Sequence, residues 1–482
     1  MRTTLKRLLV AAVLVPLLAL GSAAPALARG EGVATAATAA TADIRDRLAA
    51  VPGVTVTEEK PTTTGHRYFL LTYTQPVDHR RPWLGTFQQR FSVLHRGEDR
   101  PTVLYTNGYT LGTTPSRTEP TRLLDGNQVS IEYRYFTPSR PQPADWTKAG
   151  IQQAAGDTHR LITALKGIYG QEWISTGASK GGMSSVYHRR FYPDDVDGTV
   201  AYVAPNDVND REDSAYSAFF DQVGTPACRA ALDTAQRELL VRRAALEPRY
   251  AADNAALGNT FTVIGDADRA YEVGVLDVVW AFWQYSTEAD CANVPAATAT
   301  DDQLYAWLDT HSGVTSNSDQ SLAGYTAYYY QAGTELGAPN FDVSHLGGLL
   351  HYDTKELYSP RSYVPRSIPM RFDPAAMRDI DRWVRHDAER IIFVYGQNDP
   401  WGAEPFTLGR GSEDSYVYTA PGANHGAKIA ALTPADSAAA TAKLLDWAGL
   451  GAAEAGRPTA LAQGAPFTDL DRAGLLEEHH RL

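Results

Sequence analysis

The chain has 482 residues, 43% of them apolar and 21% charged, a balance that supports a sizeable core and excludes wholesale disorder. Lys and Arg total 44 against 56 Asp and Glu, a net charge of −12, which argues against the basic footprint that nucleic-acid binding needs. The two cysteines, Cys228 and Cys291, form no CxxC pair, so a zinc ribbon or a disulfide-dense scaffold is excluded.

The N-terminus reads as an export signal. Arg2, Lys6 and Arg7 precede an apolar run from Leu8 to Leu20, and Ala26-Leu27-Ala28 has the small-x-small form of a cleavage site. The run is short for a bilayer span. Cleavage after Ala28 is expected, giving a secreted, extracellular protein with no membrane attachment and a net charge near −15. Export makes a Cys228–Cys291 disulfide the expectation, with two free thiols as the alternative.

Residues 29–50 are rich in Ala and Thr and read as a linker or pro-segment. From residue 51 the pattern turns β-rich. Tyr68–Tyr73, Thr86–Leu94, Thr102–Thr106 and Val129–Tyr133 are predicted strands, and Ala154–Ile168 a helix. Trp173–Thr176 is a strand followed by a Gly-rich turn and helical pattern to Phe191, and Thr199–Val203 is a strand again. This alternation predicts a mostly parallel α/β sheet. From about residue 206 to 375 helical pattern and aromatics dominate. The α/β pattern resumes over 376–450, with Ile380–Val384, strands Arg390–Tyr395 and Tyr416–Tyr418, and a helix from Pro434 to Trp447. A helical insertion (206–375) is therefore expected between the first (51–205) and second (376–450) halves of one sheet domain, with 451–482 as a loosely packed tail.

Gly177-Ala178-Ser179-Lys180-Gly181 is a G-x-S-x-G motif placed between a strand and a helix. That context is what a nucleophile elbow requires: flanking positions free of side chains, a raised serine, and the next backbone N–H aimed at a developing oxyanion. Ser179 is the candidate nucleophile and the Lys180 N–H an oxyanion donor. A serine hydroxyl needs a base, and in this strand-elbow-helix arrangement an acid and then a histidine follow the serine along the chain. Asp399, in the loop after the Arg390–Tyr395 strand, and His425, in the Gly-flanked loop after Tyr416–Tyr418, fill those roles. Asp387 and Asp414 are fallback acids on the wrong side of their strands. Asn107-Gly108-Tyr109 ends an early strand, and the Tyr109 N–H is the candidate second oxyanion donor.

Several stretches resemble the secreted actinobacterial prolyl tri/tetrapeptidyl aminopeptidases: Gln75-Pro76-Val77-Asp78-His79, Glu132-Tyr133-Arg134-Tyr135-Phe136, Ser175 to Met183 around the elbow, and Gly224-Thr225-Pro226-Ala227-Cys228. The likeness covers most of residues 51–450. A weaker one, through Pro-Val-Asp-His, Arg-Tyr and Tyr330-Gln331 to Thr334-Glu335, reaches the prolyl carboxypeptidase and dipeptidyl-peptidase group. The resemblance implies an α/β-hydrolase fold with a helical cap and serine exopeptidase activity, releasing short peptides from free N-termini with proline favoured at P1.

The chemistry needs no metal or organic cofactor, and the expected partners are peptides with a free N-terminus. Trp280, Trp283, Tyr328 and Tyr329 are candidates for packing a proline ring. Glu132, Asp207 and Glu335 are candidates for holding the substrate ammonium; for each of these seven a purely structural role is the competing reading. An esterase or lipase would use the same three residues, and a non-catalytic binding protein of this fold is the alternative from another class. Oligomeric state is left open.

Overall fold

Short runs of apolar and β-branched residues build the interior of the sheet, and the loops at their C-terminal ends carry the candidate site. The structure is a computed structural model that describes residues 42–451 and 467–472. The expected signal, residues 1–28, lies outside the described residues, as does most of the 29–50 leader.

Among the described residues nine strands form one sheet: β1 Val54–Lys60, β2 Arg67–Pro76, β3 Thr86–His95, β4 Thr102–Thr106, β5 Asn127–Ile131, β6 Trp173–Ala178, β7 Gly198–Tyr202, β8 Ile391–Gly396 and β9 Tyr416–Ala420. Their spatial order is β1-β2-β3-β5-β4-β6-β7-β8-β9. From β5 to β9 the pairings are parallel. β1, β2, β3 and β5 pair antiparallel, so the mostly parallel sheet carries an antiparallel extension at its β1 edge. β4, β5, β7 and β8 are buried along their whole lengths, as expected of strands covered on both faces. β1 alternates Val with Thr and ends Glu-Glu-Lys; that polar outer edge hid it from an apolar-run reading.

The helices are α1 Ile44–Ala49, α2 Glu119–Leu124, α3 Ile151–Leu165, α4 Lys180–Phe191, α5 Ser214–Gln222, α6 Pro226–Val241, α7 Arg243–Ala256, α8 Ala267–Tyr285, α9 Asp301–Ser312, α10 Asp319–Gln331, α11 Thr354–Leu357, α12 Ala376–Asp387 and α13 Pro434–Trp447. α1 falls inside the segment read as a leader. Asp43 caps it, and Ile44 and Leu48 bury against the β1–β3 side of the core. The folded body therefore begins before residue 51. At the other end, part of the segment read as a loose tail is docked: Leu470 packs on Tyr68 and Leu94, and Asp471 pairs with buried Arg117 at 2.7 Å.

α5 to α11 lie between β7 and β8 and have their own core, built around Leu239, Tyr271, Leu276, Phe282, Trp283 and Leu308. A Cys228–Cys291 disulfide ties the first turn of α6 to the 3₁₀ turn Glu288–Asn293. Among the described residues no helix is long and apolar enough to cross a membrane.

Candidate active site

β6 runs straight into α4 through Ser179, whose backbone (φ 54°, ψ −128°) lies outside the regions ordinary residues favour. Close packing enforces the turn. A Cβ on Gly177 would stand 2.3 Å from the Gly181 carbonyl, and one on Gly181 2.3 Å from the Thr106 oxygen. Ser179 flanks α4 without capping it, so its hydroxyl is not spent on the helix end. The Lys180 N–H is one of the first amides of α4, which have no partner within the helix.

His425 follows β9 and Asp399 follows β8. His425 Nδ1 is 2.8 Å from Asp399 Oδ2. The second Asp399 oxygen accepts the Trp401 N–H at 3.0 Å, and the carboxylate is almost completely buried. This pairing fixes the imidazole so that Nε2, although buried, is left without a partner among the described residues. The His425 N–H donates to the Gln284 carbonyl at 3.1 Å, which ties the loop to α8. Asp414, a fallback acid, is consumed elsewhere by Lys443 at 2.6 Å and the Trp447 indole at 2.7 Å.

The Asn107–Tyr109 loop lies against the start of α4. Gly108 has φ +82°, and a Cβ there would come within 2.6 Å of the Gly181 nitrogen. The Tyr109 carbonyl accepts the Tyr133 N–H at 3.0 Å. The Tyr109 hydroxyl lies beside the Ser179 hydroxyl, and burial pushes its pKa well up, so it keeps its proton. The Lys180 side chain is buried under this loop. Its Nζ donates to the Gly108 carbonyl at 2.8 Å and sits 3.2 Å from the centroid of the Tyr133 ring.

The other sequence candidates divide. Asp207 lines a recess with Ser179, Tyr109, Met183, Tyr216, Tyr328 and Trp401. Neither of its carboxylate oxygens makes a hydrogen bond of ordinary geometry. Burial, and then Glu404, Asp210 and Asp213, push its pKa up to about 8. Tyr328 borders this recess and also the larger cavity beside it, of about 380 Å³, which Trp280 and Tyr329 line as well. Trp401, which sequence reasoning passed over, borders both. Its place two residues after Asp399 was the available signal.

Three candidates are not brought to the site. Trp283 is fully buried in the helical segment's own core, over Gly224 and against Phe282. Glu132 is spent internally, on Arg90 at 2.5 Å, Ser139 at 2.5 Å and the Leu111 N–H at 2.9 Å. Glu335 accepts the Ile151 N–H at 2.8 Å and so serves the start of α3. Both glutamates hold elements around the site without facing it. The Arg134 and His79 motif residues are likewise structural: both clasp buried Asp157, at 2.6 and 2.7 Å.

A mostly parallel sheet with an elbow serine after an interior strand, an Asp–His pair on later strand ends and helices on both faces defines an α/β-hydrolase. The chain belongs to the PS-10 peptidase S37 family, whose model matches residues 37–474, and it is a serine peptidase. A prolyl tri/tetrapeptidyl aminopeptidase from Streptomyces mobaraensis is 55% identical over 452 residues, which is 93% of each chain. Among solved structures, a proline iminopeptidase from Mycobacterium smegmatis matches 78% of this chain and 98% of its own at 14% identity, with a TM-score of 0.38. A peroxisomal α/β-hydrolase from Saccharomyces cerevisiae matches 87% of this chain and 97% of its own at 10% identity, with a TM-score of 0.36.

Proposed function

We propose that this chain is an exported exopeptidase that removes tri- or tetrapeptides from free N-termini, favouring proline at P1, with Ser179, His425 and Asp399 as the catalytic residues. One observation carries the reading: the elbow serine lines a recess that adjoins an aromatic cavity large enough for a few residues. The relative of 55% identity, named a prolyl tri/tetrapeptidyl aminopeptidase, points the same way.

In this mechanism His425 Nε2 takes the Ser179 proton as Oγ attacks the P1 carbonyl, and then gives it to the leaving amine. Asp399 fixes the imidazole through Nδ1–H and stabilises the imidazolium. The tetrahedral oxyanion is held by the Lys180 N–H and the Tyr109 N–H; loss of one such donor costs about 3–4 kcal/mol in comparable enzymes. Water then repeats the attack on the acyl-enzyme.

In this reading the apolar side chains of Tyr109, Met183, Tyr216, Tyr328 and Trp401, which line the recess, meet the proline ring, which offers an apolar surface and no N–H. With its pKa near 8, Asp207 is mostly protonated at neutral pH, which keeps the recess uncharged. Export is supported by the N-terminal basic-apolar-small pattern and by the Cys228–Cys291 bond, which suits an oxidising compartment.

The test is product analysis by mass spectrometry on oligopeptides with proline at position three or four, alongside p-nitrophenyl acyl esters. Stepwise loss of tri- or tetrapeptides from the free N-terminus is expected, with esters turned over more slowly. Internal cuts in an N-blocked peptide, or preferred ester cleavage, would refute the reading.

A further inference from the structure

The cavity beside the Ser179 recess contains a carboxylate that the mechanism does not use. Asp277 lies on α8, in the apolar run Val273 to Trp283, and borders the cavity with Tyr325, Tyr329, Tyr358 and Tyr363. Among the described residues no hydrogen bond or ion pair meets it. Burial alone moves its pKa, up to about 7, with no neighbouring charge or hydrogen bond opposing the shift. A lone carboxylate in such a place is costly unless a cation joins it. The surrounding tyrosine rings add faces that attract an ammonium.

The helix also sets a distance. Asp277, Trp280, Ala281 and Gln284 all border the cavity, as the i, i+3, i+4, i+7 spacing of one helix face requires. Gln284 sits at the His425 end, where its carbonyl accepts the His425 N–H. Asp277 is two turns away, about 10.5 Å at 1.5 Å per residue. An extended peptide covers about 3.3–3.6 Å per residue, so three residues span about 10 Å and four about 13–14 Å. Measured from the His425 end of the helix, that spacing matches three or four extended residues rather than one or two. Asp207, by contrast, shares the recess with Ser179 itself, too near for the N-terminus of a tripeptide.

We propose that Asp277 is the subsite residue that binds the substrate's N-terminal ammonium and, by its distance along α8, sets the length of the peptide released. The inference rests on the exopeptidase reading above.

The experiment compares kcat/KM for free and N-acetylated Xaa-Xaa-Pro p-nitroanilides in the wild type, Asp277→Asn, Asp277→Glu and Asp207→Asn, with a thermal melt of each variant. Each protein's free-to-acetylated ratio is the readout, so a general loss of activity cancels. The wild-type ratio should be at least tenfold, which corresponds to about 1.4 kcal/mol. In Asp277→Asn it should fall to within about threefold of one, while Asp277→Glu and Asp207→Asn should keep most of it. Asp277→Ser is the second neutral variant should the Asn protein melt early. A wild-type ratio of at least ten that survives both neutral variants overturns the role of Asp277 and leaves the exopeptidase reading standing. A ratio lost in Asp207→Asn and kept in Asp277→Asn moves the anchor to Asp207. A wild-type ratio near one sinks the exopeptidase reading, and this inference with it.

Discussion

Lys180 Nζ donates a hydrogen bond to the Gly108 carbonyl at 2.8 Å. The peptide unit that bears this carbonyl also bears the Tyr109 N–H, on its opposite edge because the bond is planar and trans. Pinning the oxygen beneath the loop therefore aims the N–H the other way. Burial drives the lysine pKa well below its ordinary value, yet the amine keeps N–H donors in either protonation state. In the proposed mechanism the residue after the elbow serine would therefore act on the oxyanion through both its backbone and its side chain.

Lys180→Met should loosen the Gly108–Tyr109 peptide unit while leaving the substrate cavity intact. The expected result is a ten- to hundredfold fall in kcat with KM changed by less than about threefold, a partial loss of one oxyanion donor. Steady-state kinetics on a proline p-nitroanilide checks this. A rise in KM at constant kcat would assign the lysine to ground-state binding instead.

Tyr109→Phe separates the backbone of Tyr109 from its hydroxyl, which lies beside Ser179. If the N–H is the donor, the variant should keep at least a tenth of wild-type kcat/KM. A loss of two orders of magnitude would make the hydroxyl the oxyanion ligand.

Asp207 offers a test of stability against pH. Its folded pKa, about 8, is raised above its ordinary value of 3.8, so its proton stabilises the fold fully below about pH 4, and that contribution is lost as pH rises towards 8. The slope is about 1.4 kcal/mol per pH unit at most. Asp207→Asn should therefore gain in Tm relative to wild type between pH 5 and pH 8. Calorimetry at the two pH values checks it, and an equal Tm difference at both would remove the buried-carboxylate penalty from the account.

Cys228 and Cys291 are 63 residues apart in sequence and close a loop within the helical segment. Replacing both with alanine should cost about 2–4 kcal/mol. The sheet keeps its own cores without them, so the loss should appear first as faster proteolysis between residues 206 and 300. Unchanged proteolysis and melting would show that packing alone holds α6 in place.

Thr102–Thr106 and Pro434–Trp447 have the same limits in the sequence reading and in the structure, because one is a short apolar run before Asn-Gly and the other begins with Thr-Pro. Ser179, Asp399 and His425, the proposed catalytic residues, stood out in the sequence for a related reason: small-residue loops after strands advertise themselves. The helical insertion between β7 and β8 was legible as such, but not the facing of its side chains. Helix phase decides which aromatics face the cavity, and Trp283 lies roughly 100° round α8 from the stripe of Asp277, Trp280, Ala281 and Gln284. Asp277 left a signal, a lone charge inside an apolar helical run, that only the cavity makes meaningful. Glu132 and Glu335 failed as anchors because backbone amides and Arg90 had already claimed them, and long-range hydrogen bonding leaves no local mark.

The assignment of Ser179 as nucleophile is tested most directly by labelling the intact enzyme with a fluorophosphonate and mapping the adduct by peptide mass spectrometry, beside the kinetics of Ser179→Ala. The account predicts one adduct per chain, on the peptide containing Ser179, with labelling strongly slowed in His425→Ala. It predicts that Ser179→Ala folds normally and loses at least three orders of magnitude in kcat. An adduct on another serine, or a Ser179→Ala enzyme that keeps a tenth of wild-type activity, would contradict it.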